Sequence, residues 1–495
     1  MTFHFNQDGT LQQRIDRVYQ YGDYWIWAFP DLQPQMQFSL VVETGKNPSA
    51  CFNKGRNSFY AFSTSTAMGF ADPLLTDYLV RSAEQMSLPY IIKQFHSRRE
   101  ELVRGSTFEE ALGNRFSTLY DRKLDLALLV DDATSLPYAI RSKEQHKVFG
   151  ASTSDIVFSN FTSVAVEGNS SISLPHRVQT VYNNAFVLED FIVDKFVLNA
   201  DVSEDFFKAA PPSDADNRAP LGAPMVQDQY TRSDVHEFFE AGLWNGESIQ
   251  GMNTSQVVVK PVFPKGNSPH IQALYVGYAD YVQMLVEFED GLLITDAPAH
   301  RSKVVLQWVK ENMKGKKITH VVPSHHHRDH AGGVNDFLAA GATLVVPEVA
   351  KSFYRSVNNG KFKMTTYSKD RPFVKQDSNV IFQSFWHEDS SHSHDWTYAT
   401  IAPRCKNGSN KRSEDFVVYN VDVVNPGPGA ALRTDIVHAR EFLLSAIMDG
   451  VPKTATLIGS HGYTPNGLGT QESLDNIAKL AGVAYPAEDN RRHLC

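Results

Sequence analysis

The stretch VVPSHHHRDHAGG, Val321 to Gly333, places four histidines and an aspartate among the six residues from His325 to His330. Imidazole nitrogens and carboxylate oxygens at this density are metal donors. In an extended chain residues two apart share a side, so His325 and His327 can hold one ion while His326 points away. Asp329 and His330 come just after, where the chain must turn, and Gly332 and Gly333 supply permissive backbone for that turn. The turn would aim this second pair at a neighbouring position. The spacing H-x-H-x-D-H thus divides into donors for two ions. Zinc takes about four N, O or S ligands, so further donors must come from elsewhere in the chain. An expression tag would sit at a terminus, and a plain solvated loop would not sit between a buried strand and a Gly-Gly turn.

Two divalent ions held close together lower the pKa of a shared water toward neutrality and polarise a carbonyl. Asp329 is placed to hold the bridging hydroxide and pass its proton to a leaving group. Such machinery hydrolyses an ester, lactone, thioester or amide. It needs no serine elbow, and no G-x-S-x-G occurs.

The elements around the cluster follow from hydrophobic rhythm. ALYVGY and YVQMLVEFEDGLLITDAP read as consecutive strands, the latter turning at Glu289 to Gly291. Ser302 to Lys314 has Val304, Val305, Trp308, Val309 and Met313 on one helical face. ITHVVPS is a buried strand that delivers the chain into the histidines, and GGVNDFLAAGATLVVP continues with helix and strand. This alternation predicts an α/β domain. Upstream, apolar positions at helical spacing from about Pro73 to Arg115 give way to short strands from Leu124 onward, with Asn183-Asn184 as a hairpin turn. That half is expected to be a curved antiparallel sheet with one or two helices against it. Between the halves, Lys208 to Pro224 is rich in Pro, Ala and Asp and reads as a linker or arm, followed by a short helix capped by Ser233.

Composition narrows the function classes. A chain of 495 residues exceeds one ordinary core, so two or more domains are expected. A net charge of -9 argues against sequence-independent nucleic-acid binding. Cys51, Cys405 and Cys495 form neither a disulfide framework nor a zinc finger. No apolar run reaches the length of a membrane span, and the first residues are too polar for a signal peptide. Both a cytoplasmic chain and the mature form of a secreted one fit.

THVVPSHHHRDHAGG resembles the signature of the metallo-β-lactamase-fold hydrolase superfamily, and further motifs follow in the family's order. LLITDAP resembles its first motif, implying that Asp296 closes a strand and supports the metal loop from behind. HSHDWTYATI offers His392 and His394 as the next histidine, with His387 a third competitor; His394 is preferred because an apolar strand begins a few residues later. FVVYNVDVVNPG resembles the strand-end motif whose aspartate, here Asp422, bridges two metals, and TLIGSHGY resembles the last motif with His461. The resemblance covers residues 265–485. It implies His325, His327 and His394 on one metal, Asp329, His330 and His461 on the other, and Asp422 between them. His320 and His438 read as structural, and Tyr463 as packing near the pocket.

The fold class expected is therefore an αββα metallo-β-lactamase sandwich preceded by an antiparallel β-sheet domain with helices. The boundaries are 1–205 for the N-terminal domain, 206–255 for the linker and 256–495 for the catalytic domain. The N-terminal rhythm is similar to lipoprotein-carrier-like β domains, which implies an apolar cavity; a packing or dimerisation domain, and with it a homodimer, is the plainer alternative. The activity expected is a dinuclear zinc hydrolase acting on a small, largely hydrophobic molecule, with iron or manganese as other metals the donors accept. The alternative is a mononuclear iron dioxygenase on the same fold. His327 stands where diiron electron-transfer relatives carry a glutamate, which speaks against that version of redox chemistry.

Overall fold

The structure, a computed structural model, describes residues 1–19, 36–46, 49–54, 69–70, 73–109, 113–146, 150–166, 170–209, 253–263, 268–276, 282–298, 301–404, 415–424, 436–460 and 472–486. In the main it divides into two compact units between Gln250 and Gly251. The expected helix at Ser233 and nearly all of the expected linker lie outside the described residues.

The first unit holds a five-stranded sheet running from Thr2–Phe5 to Gly69–Phe70 and a seven-stranded sheet running from Val103–Glu109 to Phe186–Ile192, each in sequential order. Strand Leu126–Asp131 shows why the larger sheet forms. Its side chains alternate between two apolar clusters, Leu126 and Leu128 with Met86, Leu88, Ile91 and Phe95 from the helices, Ala127 and Leu129 with Phe116 on the other face. The helical rhythm expected to continue to Arg115 stops at Ser97; Val103–Glu109 is a strand paired with Asn114–Asp121. Arg98 ends the helix and turns its guanidinium onto the buried Asp121 at 2.6 Å, so the chain leaves the helix there. The hairpin at Asn183-Asn184 is present: both residues have positive φ, +52° and +55°, and Ala185 N donates to Tyr182 O at 3.1 Å. Asparagine tolerates that conformation better than bulkier residues.

The second unit is a sandwich of a seven-stranded and a six-stranded sheet with helices on both outer faces. Val286, Val322 and Val345 of one sheet meet Phe382, Ile401, Val417 and Ile458 of the other in the central layer. Helices Ser302–Asn312 and Val334–Ala339 cover the first sheet through Val305, Val309 and Phe337. Helices Ile436–Met448 and Leu474–Ala481 cover the second through Phe442, Leu443 and Ile477. Covering both faces explains why Gly291–Thr295 is buried at every position: Leu292 and Ile294 face the helices, Leu293 the other sheet. Each such side chain contributes about 1.5–3 kcal/mol relative to exposure.

The parallel strands matter for function. Gly291–Thr295, Ile318–Val322 and Thr343–Pro347 run parallel in one sheet, and Val417–Asn420 runs parallel to Thr456–Gly459 in the other. Parallel strands leave their carboxyl ends on one edge, where α/β sheets build their sites. Asp296, the histidine loop and Asp422 all follow directly from such ends.

Candidate metal centre

Two aspartates in left-handed backbone frame the centre: Asp296 at φ +54° and Asp422 at φ +64°. This conformation, which aspartate tolerates, turns the chain sharply just beyond each strand. Asp296 is fully buried and ties the histidine loop at both ends. Its Oδ1 accepts from Ser324 N at 2.7 Å, and its Oδ2 lies 3.1 Å from His330 Nδ1 and accepts from Tyr419 OH at 2.8 Å. Ala297 N and His330 O close the loop at 2.7 Å. These contacts match the supporting role that the resemblance implied for Asp296.

Gly333 is needed for space rather than for a special φ, which is an ordinary -96°. A Cβ there would fall 1.9 Å from Ser302 Oγ and 2.7 Å from Pro298 O. The Gly-Gly turn expected from sequence is thus explained by close approach to the start of helix Ser302–Asn312. His330 itself lies in the single helical turn Arg328–Ala331, whose Ala331 N bonds back to His327 O at 2.8 Å.

Ligand atoms of His325, His327, His392 and Asp422 all lie within 4.8 Å of one another, and those of Asp329, His330 and Asp422 form a second such group. His325 Nε2 is 2.8 Å from His327 Nδ1, 3.1 Å from His392 Nε2 and 3.4 Å from Asp422 Oδ2. Asp422 Oδ2 is 3.3 Å from His392 Nε2 and 2.9 Å from His330 Nε2. Asp329 Oδ2 lies 3.1 Å from His330 Nε2. Donors at about 2.0–2.1 Å around a tetrahedral zinc are about 3.3 Å apart. The separations in the first group, 2.8 to 3.4 Å, lie around that spacing, and with their N/O chemistry these residues fit a zinc-type ion.

Electrostatics agree with this reading. Burial, aided by the nearby His330, pushes His325 down to about 3, and burial with the neighbouring His392 pushes His327 down to about 4. Both rings are therefore neutral at physiological pH, with lone pairs available for a metal. Burial works against charge on His330 and Asp422 as well. At His330 the carboxylates of Asp329, Asp422 and Asp296 win and hold it well above the usual range; at Asp422 His330 wins and holds the carboxyl well below it. A cation bound between them would take the place of the His330 proton.

One residue expected in the cluster lies outside it. His394 is exposed and belongs to neither group; its carbonyl accepts from Trp386 Nε1 at 2.9 Å and its ring stands edge-on to Trp386. His392, the other candidate, is the histidine of this stretch whose ring joins the first group. The chain turns between Ser393 and Trp396, whose N donates to Ser393 O at 3.0 Å, and the turn carries His394 away from the cluster. His387, the third competitor, is bonded instead to Asp449 at 2.7 Å. His461 and Tyr463 lie outside the described residues, as do Cys405 and Cys495. Sequence reasoning also missed Asp395 and Glu441. Asp395 Oδ1 is 2.7 Å from His326 Nδ1, and Glu441 accepts from Ser391 N at 2.9 Å and Ser391 Oγ at 2.7 Å. Neither carries a local signal, because each acts across a long sequence separation.

A family model agrees with the architecture of the second unit. Residues 282–385 match the model of the family described as metallo-beta-lactamase superfamily, so this unit carries the metallo-β-lactamase fold. No curated protein matches the chain. Among solved structures, a metallo-beta-lactamase from Pontibacter korlensis aligns at 15% identity and a TM-score of 0.31, covering 46% of this chain and 99% of that one. One from Cronobacter sakazakii aligns at 15% identity and a TM-score of 0.30, covering 45% and 91%. A B3 metallo-beta-lactamase with an active-site glutamic acid aligns at 16% identity and a TM-score of 0.30, covering 43% and 86%. Proteins of this superfamily are mostly metal-dependent hydrolases, and the His/Asp groups described here are ones that could hold a metal ion.

Proposed function

We propose that this protein is a dinuclear zinc-dependent hydrolase that cleaves an ester, lactone, thioester or amide bond in a small, largely hydrophobic molecule. The observation that carries the reading is the convergence of His325, His327 and His392 with Asp422, beside Asp329 and His330 on the same aspartate. In this assignment His325, His327 and His392 hold the first ion. Asp329 and His330, with His461 as the further ligand expected from sequence, hold the second, and Asp422 lies between them. When bound, two such ions supply Lewis acidity and make water acidic enough to ionise near neutral pH.

The chain's own residues then have distinct tasks. Ser324 Oγ, 3.0 Å from His325 Nδ1, turns Nε2 of that ring into the cluster, and Asp296 does the same for His330. Asp329 has a side chain 40% exposed and is the group suited to hold a proton and release it to the leaving group. The proposal takes residues 256–495 as the catalytic domain, because every described donor lies there. Residues 1–205 are then a separate β domain joined through 206–255. The hydrophobic character of the substrate rests on the resemblance of that first domain to lipoprotein-carrier-like β domains.

Metal analysis by mass spectrometry on tag-free protein, purified without added metal, tests this. About two zinc per chain, with turnover on an ester and lactone panel abolished by chelator, is the expected result. About one iron per chain with oxygen uptake would replace the reading by the dioxygenase. The second donor group, Asp329 with His330 and Asp422, favours the dinuclear reading.

A further inference from the structure

His326 contributes no donor to either metal-facing group, although it stands between two residues that do. Its Nδ1 lies 2.7 Å from Asp395 Oδ1 and 3.3 Å from Ser393 Oγ. Asp395 is buried, and the same Oδ1 accepts from Ser393 Oγ at 2.5 Å. Beside this contact, Thr397 donates from both N and Oγ1 to Ser324 O, at 2.8 and 2.9 Å. Two strips of chain some seventy residues apart are therefore tied twice, at Ser324 with Thr397 and at His326 with Asp395. Phe353 stands edge-on against the His326 ring at 5.2 Å and limits its rotation.

The two strips carry different donors. His325 and His327 belong to the first, His392 to the second, and their nitrogens meet across the gap at 3.1 Å. A donor set split between loops binds tightly only if the loops are already in register, since otherwise binding must also order them. We propose that His326 is a positioning residue: through Asp395 it locks the loop bearing His392 onto the loop bearing His325 and His327, and so sets the affinity and geometry of the first metal position. This rests on the reading that those donors hold a metal.

The test uses the full chain, stripped of metal, with H326A, H326N and D395N alongside the wild type. Zinc affinity is measured against a competing chelator, and the cobalt-substituted proteins are read by their visible absorption. Thermal melting of the metal-free forms checks folding. H326A is expected to weaken the first metal position by about 10–100-fold and to alter the cobalt bands. H326N places an amide donor close to where Nδ1 sits and is expected to recover most of that loss. A purely structural role would instead lower the melting temperature of H326A and leave affinity and cobalt spectrum unchanged, which overturns the proposal. So does a loss in H326A that H326N fails to recover, or a D395N protein that binds zinc as the wild type does. A wild-type protein that binds neither zinc nor cobalt overturns the metal reading itself, an outcome distinct from equal binding by wild type and variants.

Discussion

The two loops that meet at the cluster are built differently. The loop from Ser324 to His330 leaves a buried parallel strand and is fixed from below by Asp296, through the Ser324 backbone N–H and the His330 ring, and by the Ala297 to His330 closure. The loop from His387 to Trp396 joins two antiparallel strands and is held from its flanks by side chains: Asp395 toward His326, and Glu441 of helix Ile436–Met448 toward Ser391. The first loop is part of the core and the second is an attachment to it. Damage to the support of the first should unfold or empty the site, whereas damage to the second should loosen one metal position and leave the fold standing.

Asp422 belongs to both groups, so D422A should have the largest effect. Loss of metal and of turnover is expected well beyond the roughly 10–100-fold cost of a supporting residue, measured by metal content and by initial rates. Next comes D296A. It strips the buried carboxylate from Nδ1 of His330, leaving Asp329 and Asp422 at the other ring nitrogen, and leaves Ser324 N without its acceptor. A loss on the order of 3 kcal/mol is expected in denaturant unfolding of the metal-free protein. If D296A retained wild-type stability, the contrast between the loops would fail at its stronger end.

The second loop should respond more gently and with a defined pH dependence. Burial opposes ionisation of Asp395, but the bonds from His326 and Ser393 outweigh it and hold its carboxyl below the ordinary value. A lowered carboxyl pKa stabilises the fold above the unfolded value, about 3.9, and that contribution is lost as pH falls through the folded value. Wild type should therefore exceed D395N in metal-free melting temperature from neutrality down to about pH 4, and the two should converge in stronger acid. A gap that widens in acid would contradict this sign. E441Q removes a charge-assisted acceptor from Ser391 at a partly exposed site, so about 1 kcal/mol or less is expected, read as a severalfold weaker first zinc. The smallest effect is expected at His394. H394A should keep its metal content, while H392A should lose the ion at the first position; the reverse result would restore the assignment made from sequence.

The contrast between the loops also marks what could be read in advance. The cluster from His325 to His330 was legible because its donors are neighbours in the chain, and the spacing alone divides them into two groups, as the structure does once Asp422 is added. The flanking strands were legible because covering both faces leaves continuous apolar runs such as Gly291–Thr295. The helix near Ser302 began where expected and ended two residues early, within the usual fraying of a helix end. Upstream, the helical rhythm was carried too far, past Arg98, since nothing local announces the pairing of that arginine with Asp121 across 23 residues.

The choice between His392 and His394 could not be made from spacing. Both precede the same strand on the same parity, and only the turn from Ser393 to Trp396 separates them. That turn is held by partners 67 and 69 residues away at His326 and by a helix about fifty residues downstream. Sequence by itself determined how the four donors between His325 and His330 divide and which strand delivers them, because these depend on neighbours and periodicity. Tertiary structure alone decided which histidine closes the first group and which buried carboxylate ties the loops together, because those contacts form only when two sheets bring distant strand ends to a common edge.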